Sequence, residues 1–499
     1  MPRASCTFDS RVRLVACLGA AVVAVLLSGA TRAESASLGT AARDVRLLSV
    51  SRGGESPAAT VDALERAGYR VHVALPPDAY WVSADRGAGP LPAGVFERDP
   101  GPGSLASLAA NSPVASPADV EASDEERPDP FGGKTDVLEP VRRDSRGAAL
   151  APSRNQVAGL PSGMFYGTRW EDTSEFMIGR VALSILFPES DGSTDPNRFD
   201  WTPALRDSVV RSAVRGLLKW SVLAASRSLS LTFLLEVRSN LSTRYEPIDR
   251  PIAQETLWME DALVPLVGYR GDVATMAYEF ANGARARLGA HWAGILFAVQ
   301  NDTSSTGAFP DGFIAHARLG GPWFVLPVNN LNTQSATLDY YVEHEVTHLF
   351  WALDEYPAVN AWWSCYTRTG YFDLPNTNSD VPTPIWCKSV AEGRRCLMKG
   401  NYPDSFCVWT QAQIGWADRD FTGTPDFYET SPVAAPDSGS YHGSVGVGII
   451  VRGKANESAL QNRNPYRFLQ GDSISVATID SIQYRLDGGP WTRTLCLDG

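Results

Sequence analysis

The chain has 499 residues, of which 44% are hydrophobic and 20% charged, and its formal net charge is −12. This length is enough for two or three domains. The acidic balance favours solubility and argues against nucleic-acid binding through a basic face, so no nucleic-acid partner is expected.

The first 33 residues have the pattern of a secretory signal peptide. Basic residues Arg3, Arg11 and Arg13 precede the apolar run 14–27, and small residues of a cleavage site end at Ala33. A membrane anchor is the alternative, but the run is shorter than the roughly 20 residues that span a bilayer as a helix. We therefore expect the mature chain to be secreted, soluble and free of the membrane.

Residues 34–83 form a small N-terminal α/β segment or a prosegment. Strands are predicted at 45–50 and 69–74, with a short helix over 59–67 between them. Residues 84–160 are rich in Pro, Gly and Ala and show little periodicity. This composition is typical of a disordered linker.

Residues 161–430 are predicted to form one domain. Thr202 before Pro203 is a helix N-cap signal, and the alternation over 229–237 indicates a strand. Further strands are predicted at 176–187, 293–299 and 323–328, and helix over 258–288. Pro327 suggests that the last of these strands lies at a sheet edge. The expected fold class is α/β (α+β), with a twisted mixed sheet and one functional helix.

The motif H-E-x-x-H occurs once, as His344, Glu345 and His348. Two histidines four residues apart project from the same face of a helix, so both imidazoles can bind one zinc ion. A catalytic zinc needs three protein ligands and one open position. Asp354, six residues after His348, supplies the third ligand, and Glu345 can hold the water that attacks the substrate.

The segment 344–356 resembles the signature of the metzincin zinc endopeptidases, H-E-x-x-H-x-x-G-x-x-H/D. The Asp at the third ligand position is similar to snapalysin-like enzymes, and Asp354-Glu355-Tyr356 is similar to IgA-protease-like ones. One residue departs from the family's pattern: Trp351 stands where the family has its turn glycine. A positive φ is energetically costly for a tryptophan. Either the turn is built differently, or the helix continues and Glu355 becomes the third ligand. We favour Asp354.

The resemblance implies three further features. Met398, within the segment 395–400, is the candidate for the methionine turn below the zinc. Tyr402 is the candidate for a tyrosine that assists the transition state, although its spacing from the methionine differs from the family's. The family's edge strand pairs with an extended peptide. By resemblance that role falls to Gly321, Pro322, Trp323, Phe324 and Val325, and an ordinary covered edge is the alternative.

The cysteines agree with export. Cys365, Cys387, Cys396 and Cys407 cluster within 43 residues, and two disulfides are expected in an oxidising compartment. The spacing does not fix the pairing, but we favour Cys396–Cys407 and Cys365–Cys387. Cys496 is left over, which is consistent with a truncated chain.

Two other segments carry predictions. Residues 191–197 have the ligand spacing of a Ca²⁺ loop but lack the closing glutamate of an EF-hand, so a polar turn is the favoured alternative. Residues 431–499 are β-rich and predict a small C-terminal β-sandwich domain, which is incomplete if the chain is truncated.

These features together predict a secreted, monomeric zinc endopeptidase whose partners are extracellular proteins or peptides. Glu345 is its expected general base. The alternative is a secreted binding protein on a metzincin scaffold, in which Trp351 marks impaired catalysis.

Overall fold

The structure is a computed structural model. It describes residues 5–12, 24–28, 45–50, 56–98 except 78 and 86, 134–138, 164–301 except 166 and 198, 307–328, 338–357, 363–381, 395–399, 405–436, 449–466, 473–476, 481–485 and 490–494.

The described residues contain both strands and helices. The strands are β1 (Ser5–Val12), β2 (Ala24–Ser28), β3 (Arg46–Val50), β4 (Tyr69–Leu75), β5 (Ala79–Ala84), β6 (Val95–Glu97), β7 (Lys134–Leu138), β8 (Gly179–Ser190), β9 (Leu231–Thr243), β10 (Trp292–Val299), β11 (Phe313–Arg318), β12 (Trp323–Pro327), β13 (Arg368–Thr369), β14 (Leu374–Pro375), β15 (Pro432–Pro436), β16 (Ile449–Glu457), β17 (Ser481–Arg485) and β18 (Thr492–Thr494). The α-helices are α1 (Pro57–Arg66), α2 (Pro203–Ser226), α3 (Glu255–Val267), α4 (Val273–Leu288), α5 (Leu338–Leu349) and α6 (Val408–Gln411).

A ten-stranded sheet in the order β6-β3-β5-β4-β9-β8-β10-β12-β11-β7 organises the molecule. Its centre is parallel, because β8 runs parallel to both β9 and β10, and β10 runs parallel to β12. The antiparallel strand β11 makes the sheet mixed. The predicted α/β class with a mixed sheet is therefore confirmed.

Helices cover both faces of the parallel strands. Leu183, Ile185 and Phe187 of β8 face the core that α2 and α5 share. The intervening Leu186 faces the core beneath α3 and α4. Strands buried on both faces read as nearly continuous apolar runs, as β8 does. The helix α2 begins as predicted, because the Thr202 side chain accepts a hydrogen bond from Leu205 N at 3.2 Å.

The N-terminal segment is part of the same sheet. β4 runs parallel to β9, with Val73 opposite Phe233. The His72 ring lies 3.0 Å from Ser221 Oγ of α2, and Arg180 of β8 forms an ion pair with Glu65 of α1 at 3.1 Å. Residues of β3, α1, β4 and β5 thus share one core with the rest of the chain.

The helix α5, which carries the H-E-x-x-H motif, is held against α2. A Cβ on Gly216 would lie 2.4 Å from Asp339 O, so only glycine permits this approach. Trp220 Nε1 donates a hydrogen bond to Glu343 O at 3.0 Å, and Lys219 Nζ donates one to Glu343 Oε2 at 3.1 Å. These contacts fix the position of α5 along its axis and its rotation about that axis, and so the placement of the H-E-x-x-H motif.

The prediction that residues 321–328 lie at a sheet edge is wrong. β12 lies between β10 and β11, so both of its sides are paired. Pro327 is tolerated because it is the last residue of the strand. The error arose because residues 313–318, which form β11, carry no clear strand pattern in the sequence.

Two small sheets contain the C-terminal strands. One has the order β1-β16-β15 and the other β18-β17-β2. Within the segment 431–499, which the sequence predicts to be β-rich, β17 spans Ser481–Arg485, while the β-sandwich remains a prediction. β1 and β2 come from the segment predicted as a signal peptide, and β6 and β7 from the segment predicted as a linker. The other residues of 99–163 lie outside the described residues.

None of the helices in the described part of the chain combines the length and apolar character that a membrane crossing requires.

Candidate metal centre

The last two turns of α5 present two imidazoles side by side. The ring centroids of His344 and His348 lie 4.8 Å apart with planes at 83°, and their Nε2 atoms are separated by 3.1 Å. Both residues are buried. The four-residue spacing therefore places two ligating nitrogens at one point.

A tight turn ends the helix directly after His348. Ala352 N donates to Thr347 O at 3.3 Å and Trp351 N donates to His348 O at 3.0 Å, which is a Schellman pair of hydrogen bonds. Trp351 occupies the left-handed position of this motif with φ 76°, where glycine is the usual residue. The tryptophan therefore adopts the backbone conformation that the sequence pattern assigns to glycine.

The turn brings Asp354 to the two histidines. Its Oδ1 lies 3.1 Å from His344 Nε2 and 3.4 Å from His348 Nε2. The donor atoms of the three residues form one buried group that can hold a metal ion. The alternative in which α5 continues and Glu355 takes this place does not occur, because α5 ends at Leu349.

The separations match a tetrahedral metal site. Zinc binds imidazole nitrogen and carboxylate oxygen at about 2.0–2.2 Å, so two ligands of a tetrahedron stand about 3.4 Å apart. The observed separations of 3.1, 3.1 and 3.4 Å lie close to that edge length. These three atoms could therefore all bind one cation.

The outer nitrogens of both imidazoles face backbone carbonyls. His348 Nδ1 lies 2.8 Å from Ala352 O, and His344 Nδ1 lies 3.3 Å from Leu397 O. A carbonyl can only accept, so each Nδ1 carries a proton and each Nε2 is the nitrogen that a metal ion could bind. The two Nε2 atoms face each other, an arrangement that a proton or a metal ion between them would stabilise.

The charges of the three residues agree with a site for a cation. Burial lowers the pKa of His344. Burial also opposes protonation of His348, but the charge of Asp354 outweighs it and raises the pKa of His348 to about 9. Burial acts against the charge of Asp354 too, yet the two imidazoles hold its pKa well below the usual range. The carboxylate therefore stays negative and attracts either a proton or a metal ion.

The remaining motif residues surround this triangle. Glu345 is buried on α5 beside His344. Met398 is buried in a 3-10 turn, Leu397–Lys399, and its carbonyl accepts a hydrogen bond from Glu355 N at 2.8 Å. The same turn supplies the Leu397 carbonyl that faces His344. Residues 396–399 thus contact both His344 and Glu355, the residue that follows Asp354.

The favoured disulfide between Cys396 and Cys407 is absent, since both are buried free thiols. Cys407 Sγ donates to Glu355 Oε1 at 3.0 Å, and Cys396 Sγ lies 3.1 Å from Thr410 Oγ1. Both sulfurs contact these oxygens, and no disulfide bond joins them. Cys365 is buried, and its favoured partner Cys387 lies outside the described residues, as do Tyr402 and Cys496.

The segment 191–197 is a polar turn, as the sequence favours. Asp195 is held by Arg250 Nε at 2.8 Å and by Glu246 N at 3.0 Å, and Asp191 Oδ1 accepts from Ser193 N at 2.8 Å. The described residues contain three groups that could hold a metal ion, and the segment 191–197 is not among them.

The predicted substrate strand does not join the site as an open edge. Gly321 and Pro322 lie just before β12, and Trp323, Phe324 and Val325 lie within it, all of them buried. The antiparallel neighbour β11 separates them from the sheet edge. One residue near the histidines had no assigned role: the ring of the half-buried Tyr356 lies 6.3 Å from that of His344. Its position two residues after Asp354 is the only signal for it in the sequence.

Comparisons of the chain with protein-family models, with curated proteins and with solved structures found no match.

Proposed function

We propose that this protein is a secreted zinc-dependent endopeptidase of metzincin type that hydrolyses extracellular proteins or peptides. The observation that carries the proposal is the convergence of His344 Nε2, His348 Nε2 and Asp354 Oδ1 within 3.1–3.4 Å of one another. Three protein ligands with a fourth position left over are typical of catalytic rather than structural zinc.

The donor set fits zinc in its chemistry as well as its spacing. Two imidazole nitrogens and one carboxylate oxygen are ligands that this ion prefers, and the carbonyls at Ala352 and Leu397 orient the rings as ligand partners do elsewhere. A zinc ion bound here would supply Lewis acidity, which acidifies water and polarises a peptide carbonyl.

The chain's own residues complete the reaction. Glu345 follows the first ligand on the same helix, so its carboxylate can take the proton of the attacking water. It then returns that proton to the leaving amine. His344, His348 and Asp354 are ligands in this scheme and transfer no proton.

The resemblance to metzincins supports the same reaction. Asp354 comes three residues after Trp351, which has a positive φ, and this is where the family's pattern has its third ligand. Met398 lies in a buried turn, and the carbonyl of its neighbour Leu397 faces His344. The acidic D-E-Y sequence at 354–356 is similar to IgA-protease-like enzymes. Export follows from the signal peptide predicted at residues 1–33.

A second candidate is a secreted binding protein whose metal is structural. Burial favours it, because His344, His348 and Asp354 each expose 1% or less of their surface. A structural ion needs no access for substrate, whereas a catalytic one does.

Metal analysis and a hydrolysis assay separate the two candidates. We expect one equivalent of zinc in the purified mature protein and cleavage of casein or a quenched fluorescent peptide that a chelator abolishes and added zinc restores. Bound zinc without chelator-sensitive cleavage would favour the binding protein, and absence of metal would refute both.

A further inference from the structure

We propose that Glu355 is a positioning residue that fixes the ligand Asp354 against the turn beneath the metal centre, with the thiol of Cys407 as one of its anchors. This inference rests on the zinc site of the proposed function.

The backbone of Glu355 is bound on both sides. Its N–H donates to Met398 O at 2.8 Å, and its carbonyl accepts from Asp380 N at 2.6 Å. Asp354 is the preceding residue, so these bonds fix the chain immediately after the ligand. Because Leu397 faces His344, one turn aligns the first and the third ligand.

The carboxylate of Glu355 extends away from the metal centre into a second buried group. Oε1 accepts hydrogen bonds from the Cys407 thiol at 3.0 Å and the Thr410 hydroxyl at 2.9 Å. Oε2 accepts one from Asn378 Nδ2 at 2.6 Å. Burying a carboxylate is unfavourable unless hydrogen bonds replace its water, and three donors do so here.

The neighbouring backbone is held in the same way. Asn376 Nδ2 donates to Asp354 O at 2.8 Å, and Leu353 N donates to Gln413 Oε1 at 3.1 Å. Side chains from residues 376–378 and 407–413 therefore hold residues 353–355 in place. The Asp354 side chain is left to face the two histidines.

A metal ion bound by Glu355, Cys396 and Cys407 is the competing explanation, because their donor atoms lie within 4.8 Å of one another. The Thr410 hydroxyl argues against it. Thr410 Oγ1 lies 2.9 Å from Glu355 Oε1, 3.1 Å from Cys396 Sγ and 3.3 Å from Cys407 Sγ, and so occupies the space between them.

Two pairs of variants test the positioning role. Glu355→Gln keeps the size of the side chain and removes the charge. Cys407→Ser keeps a hydrogen-bond donor, whereas Cys407→Ala removes it. The control is Glu255→Gln, which changes a buried carboxylate bound to His316 at 2.6 Å in a different part of the fold.

Each protein is first stripped of metal. One sample is then loaded with Zn²⁺, and its affinity for Zn²⁺ is measured by competition with a chelator. A second sample is loaded with Co²⁺, and its absorption spectrum is recorded. We expect Glu355→Gln and Cys407→Ala to bind Zn²⁺ about tenfold or more weakly and to shift the Co²⁺ bands. Cys407→Ser should recover most of the affinity. Glu255→Gln should lower thermal stability without changing the Zn²⁺ affinity or the Co²⁺ spectrum. If Glu355 had a merely structural role, Glu355→Gln would behave in the same way.

Four results would decide against the inference. Wild-type affinity and spectrum in Glu355→Gln would overturn it, and if that variant does not fold, equal affinities of Cys407→Ala and Cys407→Ser would do so. Two zinc equivalents in the wild type, with one lost in Glu355→Gln, would make Glu355 a ligand. A wild type that binds no zinc would instead overturn the proposed function, and this inference with it.

Discussion

A Cβ atom on Gly320 would lie 2.3 Å from Cη2 and Cζ2 of Trp351. The turn has a tryptophan at position 351, where glycine is usual, and a glycine lies instead at position 320, in contact with the indole. Because Gly320 has no side chain, the indole has room to pack there. Gly320 N also donates to His348 O at 3.0 Å, which joins this contact to the metal centre. The indole stacks on Tyr466 with centroids 6.4 Å apart, so its burial offsets the cost of positive φ at Trp351.

Gly320 and Trp351 should therefore be energetically coupled. Gly320→Ala should destabilise the protein by about 2–4 kcal/mol, because it adds a steric clash to the strain of a φ of +76°. Trp351→Gly should relieve its own φ but lose about 3–5 kcal/mol of buried aromatic packing. In the double variant the clash is absent, so urea unfolding should give a coupling energy of about 1–3 kcal/mol.

Gly268→Ala is the matched control. Gly268 has φ +86° and no atom within 4 Å of an added Cβ, so it reports the backbone strain alone. We expect a loss of about 1 kcal/mol there. Equal losses at positions 268 and 320, or an additive double variant, would show that the indole does not require the glycine.

Glu345→Gln should separate metal binding from catalysis. The amide cannot take a proton from water, so kcat should fall by about 10²–10⁴-fold while zinc content stays at the wild-type level. His348→Ala removes a proposed ligand and should lose both zinc and activity. Hydrolysis that persists in Glu345→Gln would remove Glu345 from the role of general base, and zinc retained by His348→Ala would remove His348 from the ligands.

The sequence predicted the local features of the centre and missed the long-range ones. The four-residue spacing of His344 and His348 and the position of Asp354 depend on one helix and its end, which local rules describe. The partners of β12 depend on pairings between distant segments. Val73 beside Phe233 is a pairing of this kind, and no pattern near either residue indicates it.

Acid should destabilise the contact between β4 and α2. Ser221 Oγ donates to Leu231 O, so it accepts from His72 Nδ1, while His72 Nε2 lies 2.9 Å from Ser83 Oγ. Burial, together with the charge of Arg70, lowers the pKa of His72 to about 3. The unfolded chain binds this proton near pH 6.5 and the folded chain does not, so stability is full above that pH and is lost as the pH falls toward 3.

Unfolding by urea at several pH values measures this loss. His72 alone should account for about 2 kcal/mol between pH 6.5 and pH 5. His72→Gln should lower stability at neutral pH, and its free energy of unfolding should fall less steeply than that of the wild type as the pH is lowered. Some fall should remain, because burial also lowers the pKa of His291, to about 4. An unchanged pH dependence in His72→Gln would show that His72 does not titrate in this way.

The crossing of α2 and α5 sets the position of His344 and His348, because both residues lie on α5. Gly216→Ala would place a Cβ 2.4 Å from Asp339 O, a backbone atom that can move only with the helix. We expect a loss of about 1–3 kcal/mol, despite the gain of helix propensity, and weaker zinc binding because α5 carries His344 and His348.

Gly283→Ala in α4 is the matched control. There the nearest atom is Arg287 Nη1 at 2.9 Å, the end of a flexible side chain that can turn aside. That variant should keep wild-type stability or gain up to about 1 kcal/mol, with unchanged zinc affinity. If Gly216→Ala lowers stability but leaves zinc affinity at the wild-type value, the approach of α2 does not control the ligands.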